Sequence, residues 1–208
     1  MDYLQTNLNM AQEDGYPQEK YAKWFSSGLV ALMFAAHTNT AGTLAWSLAH
    51  IGSNPEFQER ARRDCEQAMG PNKTKDTQTL NKLNFLDCVL KETIRRYALL
   101  FLSRRALVPV EFGGHAIPTG EIVAIAPHLI HNDPDIFEDP DKYNPDRFIN
   151  DDYLKHNEDK TYMPWGFTPH RCLGEKFANT VLKTSWLELF SNYKLEILSP
   201  ITPPDFSR

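Results

Sequence analysis

Met163-Pro164-Trp165-Gly166-Phe167-Thr168-Pro169-His170-Arg171-Cys172-Leu173-Gly174-Glu175 is the stretch on which the reading of this chain turns. Glycine and proline surround a lone cysteine, and an apolar period opens directly after it. Leu173, Phe177, Val181, Ser185 and Leu189 recur every four residues, flanked by Leu182, Trp186 and Phe190. The spacing predicts a helix that begins just after Cys172 and buries one face deeply. The loop then holds a thiol at a helix mouth, where free N–H groups and the positive helix end favour the thiolate. Arg171 and Lys176 add positive charge nearby. A thiolate is the form of cysteine that ligates haem iron and feeds electron density to it, which favours O–O cleavage. The plain alternative, a buried cysteine packed as a small hydrophobe, describes a cysteine without such flanks.

Upstream, Lys91-Glu92-Thr93-Ile94-Arg95 places Glu92 and Arg95 three apart on one helical face, close enough to pair. That face also carries Phe85 and Cys88, so the two charges continue an apolar surface. A buried ion pair is the expectation, stable only if further donors satisfy the carboxylate. Arg147 is the candidate third member, presented by Phe137-Glu138-Asp139-Pro140-Asp141-Lys142-Tyr143-Asn144-Pro145-Asp146-Arg147-Phe148, whose rings and prolines would pin an irregular coil.

Around these motifs the pattern predicts a long helix over about 17–52, stopped by Gly52, Ser53 and Asn54 after an acidic and polar leader. Asn54-Pro55-Glu56 reads as a cap, a first-turn proline and an acid at the positive end of a second helix running to Gly70-Pro71. A polar loop, 71–82, leads to a third helix over about 84–97. Then Ala106, Val108, Val110 and Phe112 alternate, and 121–126 form an apolar run after the Ile117-Pro118-Thr119-Gly120 turn; both predict short antiparallel strands. Residues 132–160 read as a long ordered coil.

With 208 residues, 41% hydrophobic and 12% aromatic, the chain has material for a sizeable core. A net charge of -5 gives no reason to expect nucleic acid or an anionic membrane as a partner of the whole surface. Cys65, Cys88 and Cys172 are far apart and form no CxxC pair, which points to a reducing compartment. The first twenty residues lack a secretory signal pattern. Trp24 to Ile51 is long enough to span a bilayer, but His37, Thr38, Asn39, Thr40 and Thr43 put a polar belt at its middle, which favours a buried helix of a soluble domain.

The order of these motifs, Glu92-x-x-Arg95, then the aromatic-proline segment with Arg147, then Cys172 ahead of a helix, resembles the cytochrome P-450 superfamily over nearly the whole chain. The resemblance implies a mainly α fold with small antiparallel β-sheets. It corresponds to the C-terminal half of that fold, from the long central helix through the cysteine loop and the helix after it. Residues 1–208 would be one partial domain, the N-terminal half and final hairpin absent. It further implies haem b, iron protoporphyrin IX, with Cys172 as metal ligand and Glu92, Arg95 and Arg147 as the structural triad behind it. His170 and Arg104, with Arg105 as the alternative, stand where the family places propionate donors, and Trp165, Gly166 and Gly174 belong to the cofactor loop. Trp165 replaces the usual Phe, and Thr168 stands where Gly is usual.

The long helix aligns with the family's oxygen-activation motif in two ways. Taking His37-Thr38 as the His-Thr pair of sterol 14-demethylases leaves Trp46 one residue out of register. Anchoring on Trp46 instead fills the motif with Ala35-Ala36-His37-Thr38-Asn39-Thr40, making Thr38, Asn39 and Thr40 the candidate catalytic residues. Asn39 in place of the usual alcohol is similar to sterol 7- and 12-hydroxylases and prostacyclin synthase. Pro164-Trp165-Gly166 and the closing Pro203-Pro204-Asp205-Phe206-Ser207-Arg208 agree with that choice.

The resemblance implies a mono-oxygenase that inserts one atom of O2 into a lipid or steroid-like substrate, with electrons from NADPH through a flavoprotein reductase. A full-length relative would sit at the endoplasmic reticulum membrane, facing the cytoplasm. Two other readings stand beside it: a haem-thiolate isomerase or dehydratase that consumes a peroxide, and a non-catalytic truncated fragment. A slice of this kind is expected to bind haem poorly or not at all on its own.

Overall fold

A computed structural model describes residues 3–15, 17–97, 102–149, 161–166 and 170–199. The chain divides into two compact units, Met1–Ala41 and Gly42–Arg208. Among the described residues the architecture is mainly α with two small antiparallel sheets, the class the resemblance implies.

The first unit holds α1 (Tyr3–Glu13) and the greater part of α2 (Gln18–Ser53). The polar leader, to which the sequence reading assigns no element, contains the helix α1. Leu4, Leu8 and Ala11 stand at helical spacing, a stripe masked by the polar residues between them. Along α2, Val30, Met33 and Phe34 are exposed. No helix among the described residues is long and apolar enough to cross a membrane.

The second unit is organised by helix packing. Asn54 caps α3 (Pro55–Met69) as its sequence dictates, its side-chain oxygen accepting the N–H groups of Glu56 and Phe57 at 3.0 and 3.2 Å. Helix α5 (Asn84–Arg96) has Leu83 at its N-cap, which offers no side-chain acceptor. Asp64 of α3 supplies the missing cap from outside, accepting Asn84 N–H at 3.1 Å and Leu86 N–H at 3.0 Å. Burial pushes the Asp64 carboxyl up, against the pull of these same N–H groups. Helix α7 (Glu175–Asn192) closes the core, in which Ile51, Leu86, Val89, Leu182, Trp186 and Phe190 interlock. Trp186 is fully buried, and its indole N–H donates to Ser47 Oγ on α2 at 3.0 Å.

Two corrections to the sequence reading concern this helical part. The polar 71–82 segment contains a short helix, α4 (Thr77–Leu80), because Asp76 accepts the Thr79 N–H as an N-cap. The α7 stripe does not begin buried: Leu173 and Phe177 are 83% and 64% exposed, and Leu182 is the first buried residue of the helix.

The strands pair as β1 (Leu102–Arg105) with β4 (Ile122–Ile125) and β2 (Val110–Phe112) with β3 (His115–Ile117), both antiparallel. Gly113 and Gly114 join β2 to β3 with φ of 58° and 79°, a two-residue turn that needs left-handed backbone at both positions. Ala106 and Val108, which alternate in sequence, lie outside the strands, while Arg104 and Arg105 lie on one. The expected coil opens after α6 (Pro127–His131) and carries a 3-10 turn at Pro145–Phe148; residues 150–160 of it lie outside the described residues. Its anchors Phe137 and Phe148 form a second buried cluster with Cys88 of α5 and with Tyr162, just beyond the coil.

Candidate functional site

The carboxylate of Glu92 is the electrostatic centre of the second unit. Glu92 and Arg95 have no exposed side-chain surface and meet through two hydrogen bonds, Arg95 Nε to Glu92 Oε2 at 2.7 Å and Nη2 to Oε1 at 3.0 Å. A buried pair is stable only when its remaining donors and lone pairs are used. Here they are: Asn144 N–H reaches Glu92 Oε1 at 2.8 Å, and Arg147 Nε approaches the same oxygen at 3.4 Å. Arg95 also donates to the carbonyls of His131 at 2.6 Å and Pro140 at 2.7 Å, with its guanidinium over the Phe137 ring. Arg147 donates to the carbonyls of Glu138, Asp139 and Lys142. The triad thus gathers a Pro-rich coil around one helix face, which explains how so irregular a segment is ordered.

The cysteine loop starts next to this cluster. Met163 N–H donates to Nε2 of buried His131 at 3.0 Å, and Met163 O accepts the N–H of Gly166 at 3.3 Å. Gly166 has φ of 74°, a left-handed backbone that favours glycine, and an added methyl would meet His170 O at 3.4 Å and Leu102 Cδ2 at 3.8 Å. Trp165 O then accepts the Cys172 N–H at 2.8 Å, closing the loop. Residues Phe167, Thr168 and Pro169 lie outside the described residues, as does Pro203 to Arg208.

Cys172 is exposed, whereas Cys65 and Cys88 are buried. Burial pushes the Cys65 thiol up to about 12 and the Cys88 thiol up to about 11, so neither is a usable donor at neutral pH. Gly174 occupies the N-cap of α7 without a side-chain cap, and a methyl there would stand 3.8 Å from Cys172 Sγ. Arg171 carries its charge near Cys172 as expected, and its guanidinium is also paired with Glu175 at 2.6 and 2.7 Å. The i,i+4 spacing of these two residues was the signal that could have revealed the pair.

His170 is exposed beside Cys172. Arg104 follows Leu102 by two residues on β1, so both point to the same face of the strand, and Leu102 is the residue that meets Gly166. Arg105 points to the opposite face and donates to Gly120 O at 2.7 Å. Strand alternation puts Arg104 on the face of Leu102 and Arg105 on the other, and the Arg104 guanidinium donates to Ser103 O at 2.6 Å. Trp165, Gly166, His170, Cys172 and Gly174 are brought together, with the Arg104 strand against them. Thr38, Asn39 and Thr40 lie on α2 within the first unit, where the helix is continuous and the Asn39 amide donates back to Ala35 O at 2.9 Å.

The chemistry of this surface suits a haem. Among the described residues no group of three or more His, Cys, Asp and Glu could hold a bare metal ion. A porphyrin iron needs only one protein sulfur, because the ring supplies its other in-plane donors. The single exposed thiol is followed by exposed Leu173 and Phe177; His170 and Arg171 are basic side chains of the loop itself, and Arg104 lies on the strand that meets it. A soft donor amid apolar side chains with a basic margin matches a flat apolar ring with carboxylates on its rim. Cys172 would hold the iron, and His170 and Arg104 would hold the carboxylates.

Comparison with known proteins agrees with this surface. The Cytochrome P450 family model matches residues 4–208. Mouse Cytochrome P450 4V2 is 34% identical over 176 residues, 80% of this chain and 33% of the relative. Cytochrome P450 714B2 of Oryza sativa subsp. japonica is 37% identical over 172 residues, 82% of this chain and 31% of its own. Sterol 14alpha-demethylase of Mycolicibacterium vanbaalenii is 30% identical over 200 residues, 96% of this chain and 44% of its own. The chain thus spans less than half the length of these relatives. From the match over 4–208, taken with an exposed Cys172 at a helix mouth and a buried Glu92, Arg95 and Arg147 cluster, the chain belongs to the cytochrome P450 family.

Proposed function

We propose that this chain carries the haem-thiolate half of a mono-oxygenase, with Cys172 as the ligand to iron. The reaction would place one atom of O2 into a lipid or steroid-like molecule, using electrons from NADPH through a flavoprotein reductase. The carrying observation is that Cys172 alone of the three cysteines is exposed, in a loop hydrogen-bonded at both ends. When bound, haem supplies the capacity to activate O2, and the protein's contribution is to hold and surround it. Trp165 O fixes the backbone of Cys172, and Gly166 allows the turn that returns the chain to it. His170 and Arg104 would supply donors for carboxylates, while Arg171, paired with Glu175, keeps its charge near Cys172.

The sterol side of the proposal draws on two features. Sterol 14alpha-demethylase of Mycolicibacterium vanbaalenii is 30% identical over 96% of the chain, which supports a sterol-like substrate. Asn39 in the Trp46-anchored alignment supports the kinship with sterol 7- and 12-hydroxylases and prostacyclin synthase. A second reading, a peroxide-consuming isomerase or dehydratase, is favoured by the Asn39 side chain. Its amide is tied to the preceding turn and is a poorer proton relay than an alcohol. The endoplasmic reticulum membrane is the proposed location of the full-length protein.

To test the proposal, the chain is completed with the N-terminal part of a matched relative and product is measured with NADPH and reductase together, and with each omitted. Oxygenated product that requires both is the expected result. Rearrangement of an added peroxide without either would establish the second reading in its place.

A further inference from the structure

His131 received no role from the motif reading, and its surroundings give it one. It is fully buried at the end of α6, with its ring tilted 39° to Tyr162 at 5.2 Å and edge-on to Phe137 at 6.3 Å. Its backbone carbonyl accepts Arg95 Nη1 at 2.6 Å, and its ring Nε2 lies 3.0 Å from the Met163 N–H. A backbone N–H can only donate, so Nε2 must be the acceptor and the ring proton sits on Nδ1. Nδ1 is buried and has no hydrogen-bond partner among the described residues. An unpartnered buried donor costs free energy that a leucine or phenylalanine in the same place would avoid. The site carries that cost and in return has an acceptor aimed at one N–H, the one that begins the cysteine loop.

We propose that His131 is the positioning residue of the Cys172 loop, tying the Met163 backbone to the Glu92, Arg95 and Arg147 cluster so that both are set by one anchor. The chain of contacts is short. Arg95 fixes the His131 carbonyl, the His131 ring fixes Met163 N–H, Met163 O fixes Gly166, and Trp165 O fixes Cys172 N–H. This role rests on the reading of Cys172 as the haem ligand only for its purpose; the anchoring itself is a property of the protein alone.

The charges facing the ring agree with a neutral imidazole. Arg95 lies on one side, itself paired with Glu92, His128 lies on the same short helix, and the Tyr162 phenol is held un-ionised by burial. Burial and the Arg95 charge pull the His131 imidazole down to about 4 from its ordinary 6.5. Protonation converts Nε2 from acceptor to donor. The bond to Met163 is therefore present above that value and is lost as pH falls through it.

The test is amide hydrogen exchange by NMR on the 208-residue chain without haem. His131→Leu should speed exchange at Met163 and Cys172 by about tenfold, the loss of one hydrogen bond, while Val89 and Trp186 in the core keep their rates. His131→Gln, which offers a neutral acceptor that does not protonate, should restore slow exchange at Met163. As pH falls through about 4, the wild type should lose protection at Met163 and the glutamine variant should keep it. Unchanged exchange at Met163 in the leucine variant overturns the proposal, as does a glutamine variant that exchanges there as fast as the leucine one. No haem enters the measurement, so its failure is distinct from a failure of the Cys172 assignment.

Discussion

Glu92→Ala is expected to lower the stability of the chain by about 3–5 kcal/mol, read as a shift in the midpoint of urea unfolding at unchanged slope. The size follows from what is left behind. Arg95, with no exposed surface, and Arg147, nearly as enclosed, would be left without the carboxylate that pairs with both. The Asn144 N–H would lose its acceptor as well. Against a typical total of about 5–15 kcal/mol, such a loss is a large share of the fold. A cycle with Arg95→Met separates the pair's worth from the cost of an orphaned charge: the double variant should be more stable than Glu92→Ala alone. A Glu92→Ala variant within about 0.5 kcal/mol of wild type, the range of ordinary surface substitutions, would show that the cluster organises nothing.

Trp186→Ala is expected to cost about 3–5 kcal/mol, by removing the largest fully buried side chain of the core. Two terms add. The cavity lies where α2, α3, α5 and α7 meet, and none of these helices can close it without breaking its other contacts. Ser47 Oγ also loses the indole N–H, although its own hydroxyl still donates to Leu44 O at 2.8 Å. Trp186→Phe isolates the second term and should cost roughly 1–3 kcal/mol, the price of a lost buried hydrogen bond and a modest void. Calorimetry on both variants checks the order: alanine well below phenylalanine, and phenylalanine below wild type.

Much of this architecture was legible because local signals and packing agree. Asn54-Pro55-Glu56 announced the start of α3, and Asn54 does accept the first-turn N–H groups. Glu92 and Arg95 at the end of an apolar face announced a buried pair, and Arg147 joins it from 52 residues further along the chain than Arg95, as the spacing of prolines and rings allowed. The illegible parts are those decided by partners distant in sequence. Nothing near Leu83 shows that α5 is capped, because the cap is Asp64 on another helix. Nothing near His131 shows that its ring receives the N–H of Met163. A histidine set into the apolar Pro127-His128-Leu129-Ile130-His131 run was the available signal, and it is a weak one. The exposure of Leu173 and Phe177 was hidden for another reason: periodicity tells which residues share a face, but not where along a helix the covering elements end.

The measurement that bears most directly on Cys172 is a haem titration of the chain and of its Cys172→Ser variant, followed by the optical and electron-paramagnetic signatures of sulfur ligation. If Cys172 holds the iron, whatever haem the wild type takes up, however weakly, carries the thiolate signature, and the serine variant shows none. Haem bound by the wild type with the same non-sulfur spectrum as the serine variant would contradict the assignment and the function built on it.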